Sequence, residues 1–106
     1  MPVSWVIDLR GHLDRAALGR LRAALGLNEV GRLGDDWDEL FGEVTRAIAG
    51  VAARVELWRD VDSQGWRLDI ELPADPDDSD VQDLLAALRA EVESAGVQIA
   101  LIARRR

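Results

Sequence analysis

The seven residues Trp66 to Leu72, WRLDIEL, alternate apolar and polar without a slip. Successive side chains of a strand point to opposite faces, so this run buries one complete side only if it is extended. It calls for a sheet with one face covered and the other wet. The run "ARVELW", residues 53–58, reads as a second strand, and the turn "DVDSQG" between the two predicts an antiparallel hairpin of 66–72 against 54–59.

The same reading extends in both directions. "SWVIDL" near the start is a short apolar strand. Asp14 then caps a helix that carries Leu18, Leu21 and Leu25 on one face and stops at Gly26. Residues 28–34 hold two glycines and read as a loop. Trp37, Leu40, Phe41, Val44 and Ile48 fall at i, i+3, i+4, i+7 and i+11, which predicts a helix from Asp35 to Gly50. Ser79 or Asp80 caps a last helix with Val81, Leu84, Leu85, Leu88 and Val92 inward, closed by Gly96. "VQIALIA", residues 97–103, is a nearly continuous apolar run, as expected of a strand covered on both faces. Helical crossovers between strands imply parallel pairing. The expected fold is therefore a small α/β domain over residues 1–106, a three-stranded parallel sheet with helices packed on it and an added antiparallel edge strand.

Charge narrows the function. The net charge is −7, and all 13 basic residues are arginine, which suggests a GC-rich bacterial gene. An acidic chain is a poor ligand for nucleic acid, because phosphate binding needs a basic face. A basic protein is the natural partner. There is no cysteine, no apolar run of membrane-spanning length and no signal-peptide pattern, so a cytoplasmic protein, monomeric when free, is expected.

Chemical motifs are sparse, and no enzyme, metal site or cofactor is expected. The only histidine, His12, sits in a Gly-His turn with no serine at a recognisable spacing, and reads as a surface or capping residue. No GxGxxG or P-loop is present. "DPDDSD", from Asp75, lacks the glycine and glutamate of an EF-hand loop and reads as a solvated helix lead-in. Asp8 and Asp60 stand near the carboxyl ends of proposed strands, where two carboxylates could share a proton. Turn formation is the plainer role for both.

The segment from Gly34 to Val44, GDDWDELFGEV, places five carboxylates among its apolar residues, with no base between Arg32 and Arg46. "GDDWDEL" followed by Phe41 resembles the G-x-N-[LW]-D-A-L-W-D segment of the barstar family, small acidic inhibitors of extracellular ribonucleases. "IDLRGHLDRAALGRLRAALGL" is similar to that family's first strand and helix, "RVELWRD" to its second strand, and "LLAALRAEVESAGVQIALI" to its last helix and strand. The resemblance implies an inhibitor that plugs the active-site cleft of a basic secreted ribonuclease or similar toxin with carboxylates. It implies contact residues Arg32, Leu33, Gly34, Asp35, Asp38, Phe41, Gly42 and Glu91. Three positions depart from the family: Gly42 stands where it has an aspartate, and Arg32 and Leu33 stand where it has tyrosines. Those departures leave an alternative, an interaction module or immunity protein whose partner is not a ribonuclease.

Overall fold

The computed structural model describes residues 3–33, 38–73 and 76–105, with Arg32 and Leu33 described by their backbone alone. The elements are β1 (Val3–Leu9), α1 (Arg15–Leu25), β2 (Asn28–Leu33), β3 (Glu39–Ile48), β4 (Val51–Arg59), β5 (Trp66–Leu72), α2 (Asp78–Ser94) and β6 (Ile99–Arg105). The six strands form one sheet in the order β2-β3-β4-β5-β1-β6. Every neighbouring pair is antiparallel.

This overturns the expected three-stranded parallel sheet. The cause lies between residues 28 and 50, read from sequence as a loop and a helix. Among the described residues, Asn28–Leu33 and Glu39–Ile48 are both strands. β3 turns straight into β4 through Ala49 and Gly50, at φ 51° and 80°, with Ile48 opposite Val51. Positive φ at both central residues is what a tight hairpin needs to match strand twist. With no helical crossover, β2 to β5 follow one another as antiparallel neighbours.

The two helices form as their sequences predict. Asp14 Oδ1 accepts a hydrogen bond from the Ala17 amide at 2.8 Å, and Gly26 closes α1 in the left-handed region at φ 70°. α2 begins at Asp78 behind Asp77, slightly ahead of the expected Ser79 or Asp80 cap, and Gly96 follows its end at φ 79°.

The β4–β5 hairpin is also as expected, with Val55 opposite Ile70 and Leu57 opposite Leu68. β5 is not an edge strand, however, because β1 pairs along its other side. The edge is β6, whose apolar run was expected to be covered on both faces. Its Leu101 is 56% exposed.

One face of the sheet is covered by both helices. Ile7, Val55, Leu57, Leu68, Ile70 and Leu72 meet Leu21 and Leu25 of α1 and Leu84, Leu88 and Val92 of α2 in one continuous core. Each of these side chains is essentially inaccessible to water. Burying a side chain of this size contributes about 1.5–3 kcal/mol. Neither described helix is long and apolar enough to cross a membrane.

Candidate binding groove between α1 and the β2–β3 edge

Helix α1 crosses the covered face toward the β2 edge and leaves a groove there of about 720 Å³. Its walls are Arg15, Leu18, Gly19 and Arg22 of α1, Glu29, Val30 and Gly31 of β2, and Glu39, Leu40 and Phe41 of β3. Local irregularity makes the room. β2 shifts register between Glu29 and Arg32, and β3 shifts between Leu40 and Gly42. A Cβ added at Gly19 or Gly31 would meet nothing within 4 Å, so both glycines widen the space. Phe41 is held against Trp66 edge-to-face, with ring centroids 4.6 Å apart. The Arg22 guanidinium stands 3.9 Å from Glu29, and its buried Nε has no hydrogen-bond partner among the described residues. An apolar floor with a few convergent polar groups, at this volume, has the form of a binding site.

The residues implied by the family resemblance divide among separate places. Arg32 and Leu33 end β2, opposite Leu40 and Glu39. Gly34 and Asp35, together with Asp36 and Trp37, lie outside the described residues. Phe41 lines the groove. Gly42 is buried in β3, where a Cβ would sit 3.0 Å from Leu27 Cβ and 3.2 Å from the Asn28 carbonyl oxygen. Asp38 faces away from the helices, and its Oδ2 accepts from Arg67 Nη1 at 3.0 Å. Its Oδ1 accepts from the Val61 amide at 3.2 Å. Glu91, on α2, pairs with Arg46 on the covered side. Asp38 and Glu91 therefore stand on opposite sides of the sheet and form no common patch.

Asp38 belongs to a charge ladder on the uncovered face. Arg67 pairs with both Asp38 and Asp69, Arg105 pairs with Asp69 at 3.2 Å, and Arg54 pairs with Glu43 and Glu56 at 2.8 and 3.3 Å. The Arg67 guanidinium also lies 5.6 Å from the centre of the Trp58 ring. Burial lowers the Arg67 pKa, but Asp69 and Asp38 outweigh it and the net shift is upward. The Arg54 pKa is raised as well, chiefly by Glu56 and then by Glu43. Both arginines stay charged at any ordinary pH.

The other carboxylate ideas resolve locally. Asp60 accepts from the Asp62 amide at 3.0 Å, as a turn former does. Among the described residues, no group of three or more histidine, cysteine or acidic side chains could hold a metal ion. Glu29, Val30, Arg15, Arg22 and Gly19 had not stood out in the sequence. The one available signal was Gly19 inside a helical pattern, where glycine costs about 1 kcal/mol relative to alanine. No family model matches the chain, and no curated protein or solved structure matches it.

Proposed function

We propose that this chain is a cytoplasmic, non-catalytic protein-binding module whose groove between α1 and the β2–β3 edge takes a basic segment of a partner. The observation that carries this reading is the groove itself. Leu18, Val30 and Phe41 offer an apolar floor, Glu29 and Glu39 share its walls with Arg15 and Arg22, and the chain joining its two strands adds Asp35 and Asp36. Such a surface gives an anchoring side chain a pocket and a cation nearby carboxylates.

The resemblance of Gly34–Phe41 to the barstar segment points to a basic secreted ribonuclease or similar toxin as the partner. Gly42 favours the second reading, a partner that is not a nuclease. The family's aspartate position is here a buried glycine, where a side chain would press on Leu27 and on the Asn28 carbonyl. In addition, residues 39–48 are a strand, which removes the helix that would align Asp38, Phe41 and Gly42.

The test is a pair of variants, Phe41→Ala and Glu29→Gln with Glu39→Gln, assayed for inhibition of basic secreted ribonucleases and for binding to partners cross-linked in cells. Under the groove reading, Phe41→Ala weakens binding by at least ~2 kcal/mol, the usual threshold for a dominant contact. The carboxylate variant slows association and removes much of its salt dependence. Unchanged binding in both variants rejects the groove. Binding without inhibition of any ribonuclease selects the second reading.

A further inference from the structure

The two edges of the sheet are not equally protected. β2 is six residues long, shifts register, and carries Glu29, Gly31 and Arg32. Short, charged and irregular edges are how proteins discourage strand addition. β6 is one residue longer and shares the irregularity, its register against β1 shifting at Ala100, but it lacks the charge: Ile99–Ala103 is wholly uncharged and leaves Leu101 exposed. Its outer backbone groups are a template for a further strand.

The covered side of the β6 edge is hollow. One cleft of about 720 Å³ has Arg10, Arg89, Gln98 and Ile99 among its walls. A second, of about 380 Å³, lies between α2 and the sheet and is lined by Trp5, Leu85 and Ile102, with Arg89 shared between the two. A strand added at this edge would direct alternate side chains toward these clefts.

The charge around the edge runs against the rest of this acidic chain. Arg10, Arg89 and Arg104 are all exposed, and none has an ion pair or a side-chain hydrogen bond among the described residues. Glu93 is the one carboxylate among the residues lining the larger cleft. We infer that β6 is a docking edge for an extended acidic segment of another protein, which pairs with Ile99–Ala103, turns its acidic side chains toward the arginines of the covered face and sets the alternate, apolar ones beside Leu101 on the other. The surface is distant from the α1 groove, and this inference does not rest on the function proposed for it.

The same charges disfavour a second copy of this chain as the occupant. In an antiparallel self-pair, Arg104 and Arg105 of one copy would lie beside Arg10 and Arg89 of the other. In a parallel pair they would lie beside themselves. Like charges across a strand pair are destabilising.

The experiment titrates isotope-labelled protein with short soluble peptides alternating valine and glutamate, and with controls alternating valine and lysine. The glutamate peptides are expected to shift the amide signals of Ile99–Ala103 and protect those amides from exchange. Arg89→Glu with Arg104→Glu should weaken them roughly tenfold and turn the preference toward the lysine peptides. Should that double variant disturb the spectrum at large, Arg10→Glu supplies the same comparison from outside any strand or helix. Equal binding of both peptide classes, shifts centred on β2, no binding at all, or a dimer closed through β6 in sedimentation would each overturn the proposal.

Discussion

The two faces of the sheet are made by the same strands, residue by alternate residue, yet they are held by different physics. On the covered face, Leu57, Leu68 and Ile70 are buried under the helices, and the stabilisation scales with the area removed from water. On the open face, the neighbours of those residues are Glu56, Trp58, Arg67 and Asp69, where Arg54 pairs with Glu56 and Arg67 with Asp69 along their own strands and Arg67 reaches Asp38 beyond. Apolar burial is non-directional, but a slip of one residue would turn the alternating apolar set to water, so this face also fixes the register of its strands. The charges of the open face do not choose the register: Glu43 lies opposite Glu56 and Glu56 opposite Asp69, and Arg54, Arg67 and Arg105, at same-strand and diagonal positions, offset that like-charge contact. One face thus supplies most of the stability and the register, and on the other the arginines offset the crowding of carboxylates.

The comparison can be broken most forcefully from the covered side. Leu68→Ala, at a site with no exposure, should lower unfolding free energy by about 2–5 kcal/mol in denaturant titration. A loss below ~1 kcal/mol would mean that this face is loosely packed. Next in size is Gly42→Ala. The new Cβ would meet Leu27 Cβ at 3.0 Å, and overpacking of this kind costs about 1–3 kcal/mol.

Variants of the open face should be milder. Arg67→Met removes the partner of Asp38 and Asp69, and a loss on the order of 1 kcal/mol is expected, since the Arg67 side chain is only 18% exposed. A loss as large as that of Leu68→Ala would erase the distinction between the faces. Arg54→Ala, at 45% side-chain exposure, should change stability by no more than about 0.5 kcal/mol. The smallest effect concerns pH. The Arg54 and Arg67 pKa values are raised in the folded state, so their contribution is complete below the unfolded arginine value and is lost only in strong alkali. Stability followed from neutral pH to mild alkali should show no step from either group, whereas added salt should weaken the ladder.

Which parts of this arrangement could be read from the sequence follows from the same contrast. α1, α2 and the β4–β5 hairpin were legible, because their caps, glycines and periods all agree with one another. β3 was not, for three local reasons. A register shift between Leu40 and Gly42 breaks its alternation, so Phe41 and Gly42 fall out of phase. Gly42 occupies a buried position with no side chain to mark it. Arg46 sits on the covered side and looks polar, although its charge is met there by Glu91. Stripped of its period of two, the remaining apolar set matched a helix. β6 was misread more simply, since an apolar run shows that a strand is sticky but not which neighbours cover it. Of the candidate groove, Leu18, Leu40 and Phe41 stood in apolar stripes and Glu39 in the acidic segment, and of these only Phe41 was marked as a contact residue. The α1 wall is assembled by a long-range packing that no local pattern records.

The position of β1 has a consequence for how the chain reaches this state. β1 is formed by residues 3–9, but its neighbours are β5 at 66–72 and β6 at 99–105. Of the six strands β1 is the first to be made, and it must wait, unpaired, until β5 has emerged. Pairings so distant in sequence require a large loop-closure entropy before any contact rewards it, and such topologies fold slowly. The β3–β4 and β4–β5 hairpins can zip locally in the meantime. During that interval Trp5, Val6 and Ile7 form an apolar strand with both edges open. Folding in the cell becomes a race between capture of β1 by β5 and its capture by another nascent chain.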